Sequence, residues 1–405
     1  MATRPLTPDF IDHHWDPITT AELHDGFVTA TWPDGTTFEA YALWLAENAE
    51  GYGLEPTVRE STIEPCDLPT SDALESVDVG RDGDLLLRFT GRTELHVHPG
   101  WLRYVAEERH LPASPLPETT PWTADELPQP PTLDGSQILT DAAALETWLT
   151  NLVQYGICRL EHTPTDLDFV GRLVGMVGPI RDTNFGPVWS VRADPDPNST
   201  ANTGLNLGQH TDLPTRETPP GYQFLHCVEN TVDGGWSRMT DGLAVVEAIR
   251  VEHPADYDAL TTLEWVFMNR SRDAEHRWIG PMIDHGAARQ PLTLRAFYPV
   301  RSAPHMATAD IPRAYESMRV FAEVARDPRF QIRYPFRPGD LIGFDNRRIL
   351  HGRDSFESGG RRHLRGCYAD HDDIFSRLRV MRRPVDHATT VTHSTTPTTN
   401  PTNTR

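Results

Sequence analysis

Three potential metal ligands lie far apart in this chain, and bringing them together constrains how it can fold. His210-Thr211-Asp212 supplies an imidazole and a carboxylate two positions apart, and His351 follows after a long interval. Side chains at positions i and i+2 of a strand point to the same side of a sheet. A strand that carries His210 and Asp212 therefore needs a second, distant strand that brings His351 to the same point.

The composition of this ligand set indicates which metal it would bind. Two imidazoles and one carboxylate on one face of an ion, with the other coordination positions open, suit non-haem Fe(II) that activates dioxygen. The chain contains 18 histidines, and His-x-Asp recurs at His14-Trp15-Asp16 and His371-Asp372-Asp373. His14 has no strand alternation around it, and we expect His371 to be solvated in an acidic turn. His210 differs, because a strand-like run follows it after Pro219-Pro220-Gly221.

The third ligand lies in a well-defined context. Arg337-Pro338-Gly339-Asp340 predicts a turn, Leu341 to Asn346 predicts a short apolar strand, and His351 follows shortly afterwards. An oxygenase with such a centre needs two electrons from a co-substrate, and oxidative decarboxylation of 2-oxoglutarate supplies them. The distal carboxylate of 2-oxoglutarate calls for a planar cation that binds it through two hydrogen bonds. Arg362, a little further along the chain, is the predicted partner.

Together these motifs resemble those of one enzyme family. Roughly residues 20 to 380 are similar to the Fe(II)/2-oxoglutarate dioxygenases of the gamma-butyrobetaine and trimethyllysine hydroxylase group, within the taurine dioxygenase superfamily. The matching stretches are His210-Thr211-Asp212-Leu213-Pro214, Pro219 to Cys227, Gly234-Gly235 through Asp241-Gly242, Asn346 to Arg353, and Arg362-His363-Leu364 with Gly366 and Tyr368. The resemblance implies an enzyme that uses Fe(II), 2-oxoglutarate and O2 to oxidise a small metabolite.

The resemblance also implies a mainly β fold with flanking helices. The catalytic domain would be a double-stranded β-helix, or jelly roll, preceded by a small β-rich amino-terminal domain. We expect the amino-terminal domain at 1–111, a proline-rich linker at 112–132, the catalytic domain at 133–385 and a disordered tail at 386–405. Local patterns predict β-structure at Asp25 to Phe38 and Leu85 to Phe89, and helices at Tyr41 to Asn48, Gly100 to Glu108, Asp141 to Tyr155, Thr165 to Val177, Leu243 to Glu252 and Pro312 to Arg326.

The amino-terminal region departs from the family pattern. The resemblance implies a structural zinc ion, held by a cysteine cluster after a Trp-Leu helix and by a later histidine. The matching stretch from Trp44 to Gly53 contains no cysteine, and Gly91-Arg92 stands where a histidine should follow glycine. Cys66 alone cannot supply a tetrahedral thiolate site. We therefore expect this domain to fold without structural zinc.

The predicted substrate pocket departs from the family as well. In gamma-butyrobetaine hydroxylases an aromatic cage binds a trimethylammonium group by cation–π attraction. The matching positions are Phe185, Trp189, Asn202 and Tyr368. Asn202 replaces a tyrosine, which removes one aromatic face and adds hydrogen-bonding groups. We therefore predict a small polar or zwitterionic substrate without a bare trimethylammonium group, such as a phosphonate, an amino acid or a partly methylated amine.

Several alternatives remain open at this point. The chain could be a true gamma-butyrobetaine-type hydroxylase of a quaternary ammonium compound, or a desaturase or phosphonate oxidase of secondary metabolism. A non-catalytic jelly-roll binding protein with a vestigial metal site is a more remote possibility. Because halogenases of the superfamily leave the carboxylate position vacant, the presence of Asp212 favours hydroxylation.

Composition excludes some partners. Lys+Arg 37 against Asp+Glu 58 gives a net charge of −21, which disfavours binding to nucleic acid or to an anionic membrane. Four cysteines without Cys-x-x-Cys spacing fit a reducing cytoplasm. No segment predicts a secretion signal or a membrane span. We expect a cytoplasmic enzyme that binds a small molecule, and the family resemblance suggests a homodimer.

Overall fold

The computed structural model describes residues 4–68, 70, 73–92, 94–108, 116–192, 204–270, 274–286, 292–356 and 360–383. These residues divide into two compact units, one formed by residues 4–108 with 382–383 and the other by residues 116–381. The predicted disordered tail at 386–405 and Asn202 lie outside the described residues. No helix in the described ranges has the length and apolar character needed to cross a bilayer.

The first unit consists of two three-stranded antiparallel sheets and two helices. Its elements are β1 (Thr20–His24), β2 (Phe27–Thr31), β3 (Thr37–Tyr41), α1 (Ala42–Glu47), β4 (Leu74–Val79), β5 (Leu85–Phe89), β6 (Leu95–Val97) and α2 (Pro99–Glu108). Asp25 and Gly26 both have positive φ, as a tight turn between β1 and β2 requires. The predictions of β-structure at Asp25 to Phe38 and Leu85 to Phe89 and of both helices in this unit are confirmed, with boundaries shifted by up to three residues.

The second unit combines strands and helices in a more complex order. Its helices are α3 (Ala142–Tyr155), α4 (Phe169–Val177), α5 (Gly242–Glu252), α6 (Pro254–Thr262), α7 (Ile311–Arg326) and α8 (His371–Arg382). Its strands are β7 (Thr132–Asp134), β8 (Ile157–Glu161), β9 (Val188–Arg192), β10 (Leu207–His210), β11 (Tyr222–Asn230), β12 (Ser237–Asp241), β13 (Trp265–Arg270), β14 (Glu275–Gly280), β15 (Ile283–Asp284), β16 (Thr293–Leu294), β17 (Gln331–Tyr334), β18 (Leu341–Asp345), β19 (Ile349–Arg353) and β20 (Arg362–Ala369).

Two sheets of the second unit are built from strands that are distant in sequence. The six-stranded sheet has the order β7-β8-β18-β11-β20-β9, and the four-stranded sheet has the order β10-β19-β12-β17. All of these pairs are antiparallel except β7 with β8. The predicted fold class, mainly β with flanking helices, is confirmed.

Helices α3 and α4 cover one face of the six-stranded sheet. Trp148 and Phe169, one from each helix, belong to the same buried cluster as Tyr222 and Phe224 of β11. The start of α3 is fixed by Asp141, whose side chain accepts hydrogen bonds from the first backbone N–H groups of the helix. Because alternate residues of β11 point away from this helical layer, Gln223, Leu225 and Cys227 lie on the other face of the sheet.

A buried ion pair attaches residues 120–122 to the second unit. Arg348 donates to both carboxylate oxygens of Asp241, at 2.8 and 2.7 Å, and to the carbonyl of Thr120 at 2.7 Å. The same carboxylate accepts from the backbone of Trp122 at 2.9 Å and of Leu243 at 3.0 Å. Part of the stretch predicted as a linker is therefore packed into the second unit.

The structure corrects the prediction for His371. We expected a solvated histidine in an acidic turn, but His371 is buried and begins α8. Its Nε2 lies 2.9 Å from Asp345 Oδ1, and its ring stacks on Phe375. Asp372 and Asp373 lie in the first helical turn, where negative charge is favourable next to the helix dipole. The acidic residues that suggest a turn in the sequence thus form the first turn of a helix.

Candidate metal centre

The structure brings the three predicted ligands together. His210 ends β10, and His351 is its direct partner on β19. Nε2 of His210 lies 3.3 Å from Asp212 Oδ1, and Nε2 of His351 lies 3.8 Å from the same oxygen. Ligand atoms of the three residues all lie within 4.8 Å of one another, and no other such group of His, Cys, Asp and Glu occurs in the described ranges.

Asp212 is held in a different way from the predicted one. We expected it on the same strand as His210, but that strand ends at His210. Asn346 instead accepts a hydrogen bond from the backbone N–H of Asp212 at 2.7 Å and donates one to its carbonyl at 3.0 Å. The side chain of Asn346 thus makes the two hydrogen bonds that a neighbouring strand would otherwise make. It fixes the backbone that carries the carboxylate.

Hydrogen bonds orient the ligand atoms toward a common point. Nδ1 of His210 lies 2.9 Å from the carbonyl of Gly208, so the ring proton belongs on Nδ1 and the lone pair on Nε2 is free for a metal. Tyr368 donates its hydroxyl proton to Asp212 Oδ2 at 2.7 Å. This hydrogen bond leaves Oδ1 facing the two imidazoles.

Electrostatics give His351 and Asp212 the ionisation states that a divalent metal needs. Burial, followed by the nearby His210, lowers the pKa of His351 to about 3, so its imidazole is neutral at physiological pH. Burial alone would raise the pKa of Asp212, but contacts with the His210 and His351 rings and the hydrogen bond from the Tyr368 hydroxyl hold it well below its usual range. The site therefore combines a neutral imidazole donor at His351 with an ionised carboxylate at Asp212.

These residues fit a first-row divalent metal ion. Nitrogen and oxygen donors about 2.0–2.2 Å from such an ion stand roughly 3–4 Å from each other. The separations of 3.3 and 3.8 Å between the donor atoms lie in this range. Two imidazoles and one carboxylate on one face would leave the remaining positions for co-substrate and dioxygen.

Arg362 begins β20, the strand that also carries Tyr368. Residues 362, 364, 366 and 368 alternate onto the same face of the sheet, which is the face from which Tyr368 reaches Asp212. Arg362 is buried, and burial lowers its pKa to about 10, so it remains charged at neutral pH. It forms no ion pair within the described residues, and its Nε has no hydrogen-bond partner there. A buried cation of this kind suits an anionic ligand.

The structure brings together part of the predicted substrate pocket. The ring centroids of Trp189 and Tyr368 are 5.3 Å apart. Trp189 lies across from Gly366, where an added Cβ would come within 2.4 Å of the indole ring, so glycine is needed for this approach. Phe185 is 56% exposed and makes no ring contact with this pair in the described structure. Asn202, as stated above, falls outside the described ranges.

A polar residue next to this pocket was missed in the sequence. Gln223 lies opposite Tyr368 on one side and opposite Phe344 on the other. The ring of Phe344 lies 4.8 Å from that of His351. Gln223 is only 2% exposed, and its Oε1 has no hydrogen-bond partner in the described residues. A glutamine between Tyr222 and the apolar pair Phe224-Leu225 was the available signal.

A second missed residue packs against a ligand. The ring centroid of Phe297 lies 4.9 Å from that of His210. Phe297 and His210 also line one side of a cavity of about 270 Å³ beside α7. No motif around Phe297 marks it in the sequence, because its contact with His210 depends on the path of a long connection.

The mainly β fold and the site of two histidines and one carboxylate together place this chain in the class of non-haem iron oxygenases. The family model described as Taurine catabolism dioxygenase TauD, TfdA family matches residues 113–368. The chain belongs to this family, and it is an Fe(II)- and 2-oxoglutarate-dependent dioxygenase.

Two relatives and one solved structure illustrate the similarity. The chain is 34% identical to the gamma-butyrobetaine dioxygenase of Pseudomonas sp. (strain AK-1) over 372 residues, covering 91% of this chain and 97% of the relative. It is 32% identical to the human gamma-butyrobetaine dioxygenase over 286 residues, or 67% of this chain and 71% of the relative. It also matches PvcB, an Fe, alpha-ketoglutarate dependent oxygenase, at 20% identity and a TM-score of 0.44, over 55% of this chain and 79% of that chain.

Proposed function

We propose that this dioxygenase hydroxylates an unactivated C–H bond of a small polar or zwitterionic metabolite. The observation that carries the proposal is the convergence of His210, Asp212 and His351, with ligand atoms within 4.8 Å of one another. Fe(II) bound there would supply dioxygen activation and the oxidation itself. The presence of Asp212 leaves no vacant carboxylate position for a halide, which favours hydroxylation.

The protein would contribute positioning and charge. His210, Asp212 and His351 would hold the metal, and Tyr368 would keep Asp212 turned toward it through their 2.7 Å hydrogen bond. Arg362 would bind the distal carboxylate of 2-oxoglutarate through its planar guanidinium. Burial of Arg362 would strengthen that attraction, because less water competes for the charge.

The topology supports a double-stranded β-helix as the catalytic fold. Two histidine ligands belong to the four-stranded sheet, whereas Arg362 and Tyr368 belong to the six-stranded sheet. We retain the division into an amino-terminal domain at 1–111 and a catalytic domain at 133–385 as a proposal. Composition and family resemblance favour a cytoplasmic homodimer, and the missing cysteine cluster between Trp44 and Gly53 favours a domain without structural zinc.

The pocket residues support a polar substrate with an apolar or cationic part. Trp189 and Tyr368 offer two aromatic faces, and Gln223 adds an amide whose oxygen has no partner in the described residues. A second candidate is gamma-butyrobetaine itself. It is favoured by the 34% identity, over 91% of this chain, to a relative named for that substrate.

A substrate panel tests the function directly. The purified full chain would be incubated with Fe(II), 2-oxoglutarate and dioxygen, together with gamma-butyrobetaine, its partly methylated analogues, amino acids or aminoalkylphosphonates. We expect succinate to form in step with a hydroxylated product for at least one zwitterion. His210→Ala should abolish turnover while preserving the circular dichroism spectrum. Activity in this variant would contradict the ligand assignment, and efficient hydroxylation of gamma-butyrobetaine would select the second candidate.

The co-substrate role of Arg362 has its own test. Arg362→Met should raise the KM for 2-oxoglutarate by roughly 10- to 100-fold, because charge-assisted hydrogen bonds contribute about 1.5–3 kcal/mol. Arg365→Met is the matched control, since Arg365 lies on the same strand but donates to Leu167 and Ser190. A KM that rises equally in both variants would contradict the assignment.

A further inference from the structure

A short segment outside the two main sheets contacts the metal-binding motif directly. The hydroxyl of Thr211 donates to the carbonyl of Leu294 at 3.0 Å and accepts from the backbone N–H of Ala296 at 3.1 Å. The backbone N–H of Thr211 donates to the carbonyl of Ala296 at 3.3 Å. Phe297 packs on His210, as described above. The segment 293–297 thus touches two of the three consecutive residues of the motif.

Arg295, in the same segment, holds the loop that follows Asp212. One terminal nitrogen of its guanidinium donates to the carbonyls of Pro214 and Arg216, at 2.8 and 2.7 Å. The other donates to the carbonyl of Glu217 at 2.9 Å. This loop begins at Leu213, whose φ of 53° lies in the left-handed region that a branched side chain seldom adopts. Three carbonyls of one irregular loop therefore converge on a single side chain.

The burial of Arg295 is energetically demanding. The residue is 2% exposed and forms no ion pair with a carboxylate in the described part of the chain. Burial lowers its pKa to about 10, so it is still charged at neutral pH. The face of Trp278, 4.5 Å from the guanidinium carbon, and the three carbonyls offset the lost hydration. A lysine could not reproduce this planar arrangement of donors.

We propose that Arg295 is a positioning residue that preorganises the metal centre. By fixing the loop 213–217 it holds the backbone on the carboxyl side of Asp212, while Asn346 holds the Asp212 peptide groups themselves. Asp212 is thereby restrained by two separate contacts before any metal binds. The inference rests on the proposed ligand set, and it assigns a role in that site to the connection between α6 and α7.

Metal affinity tests the proposal without relying on turnover. Mn(II) binding to the full chain would be measured by isothermal titration calorimetry, and thermal unfolding of the metal-free protein would be measured in parallel. We expect Arg295→Met to weaken Mn(II) binding by about 10- to 100-fold, the range observed when groups that orient metal ligands are removed. Arg295→Lys should recover only part of this loss, because one ammonium group cannot reach all three carbonyls.

Arg301→Met is the matched control. Arg301 lies further along the same connection and stacks on Trp265 and Tyr315, but its hydrogen bond goes to Met318. We expect this variant to lower the unfolding temperature while the Mn(II) dissociation constant stays within about twofold of the wild-type value. If Arg295 had a purely structural role, the Arg295→Met and Arg301→Met variants would instead show the same pattern of unfolding temperature and Mn(II) dissociation constant.

Several outcomes would overturn the proposal. Wild-type Mn(II) affinity in Arg295→Met would do so, as would equal weakening in Arg301→Met. If Arg295→Met does not fold, Trp278→Leu removes the aromatic face beneath the guanidinium while keeping an apolar side chain against the neighbouring core. This variant should weaken Mn(II) binding severalfold, and unchanged affinity there also overturns the proposal. His210→Ala distinguishes failure of the Arg295 proposal from failure of the ligand set. Undiminished Mn(II) binding in that variant refutes the ligand set itself.

Discussion

At the scale of single residues, Tyr368 combines two contacts that are usually made by different side chains. Its hydroxyl donates to Asp212 Oδ2 at 2.7 Å, and its ring lies beside Trp189. Burial raises the pKa of Tyr368 well above its ordinary value, so the hydroxyl keeps its proton and remains a donor. Tyr368 therefore lines the predicted substrate pocket with its ring and orients the metal ligand Asp212 with its hydroxyl.

Tyr368→Phe separates these two contacts. The variant keeps the aromatic ring but loses the hydrogen bond, so Asp212 can rotate away from the imidazoles. We expect metal affinity to fall by about 10- to 100-fold, measured by Mn(II) titration. Tyr222→Phe is the control, since that buried hydroxyl donates to the carbonyl of Leu152, away from the centre. The role assigned to Tyr368 is wrong if the two variants bind metal equally well.

The sequence predicts residues of the site where their chemistry is encoded locally. His210 and Asp212 are two positions apart, and His351 follows an apolar strand, so each has a recognisable context. Asn346 and Arg295 act through contacts with residues that are distant in sequence, and such contacts leave no local pattern. Gln223 was visible only as a polar residue in an apolar run, which does not reveal which face it occupies.

At the scale of elements, the pairing of β9 with β20 shapes the pocket wall. Trp189 lies over Gly366, and an added Cβ there would come within 2.4 Å of its ring. Gly366→Ala should therefore displace the indole ring and cost about 1–3 kcal/mol of stability. We expect substrate affinity to fall, while Mn(II) affinity stays near the wild-type value, because no metal ligand is touched.

The outcome can be checked by urea unfolding and metal titration. Gly175→Ala in α4 is the matched control, since nothing lies within 4 Å of its added Cβ and alanine favours a helix. That variant should be slightly more stable than the wild type. An unchanged stability in Gly366→Ala would mean that the indole ring can move aside without cost.

Secondary structure was predicted best where periodicity and capping agree. α3 carries an apolar face and an Asp141 cap, and its predicted end at Tyr155 is confirmed. α8 was missed because its acidic start resembles a solvated turn, and its burial depends on Asp345 from another strand. The order β7-β8-β18-β11-β20-β9 could not be read from local patterns, because neighbouring strands come from distant parts of the chain.

At the scale of the whole molecule, both compact units bury a histidine that is expected to be neutral. In the first unit, burial and the nearby His13 lower the pKa of His98 to about 4. In the second unit, burial lowers the pKa of His226 to about 4. An unfolded histidine has a pKa near 6.5. Between about pH 4 and 6.5 the unfolded chain therefore binds more protons, and the free energy of unfolding falls as the pH falls.

This argument predicts that acid destabilises the protein through His98 and His226. Each lowers the free energy of unfolding by up to about 3 kcal/mol as the pH falls from 6.5 toward 4. Relief of repulsion within a chain of net charge −21 acts in the opposite direction, so single variants must be compared with the wild type.

His98→Gln and His226→Gln should each reduce the loss of free energy of unfolding between pH 7 and pH 4.5, as measured by urea unfolding. His14→Gln, with a side chain that is 85% exposed, should leave it unchanged. Identical pH profiles in all three variants would show that these buried histidines do not control acid stability.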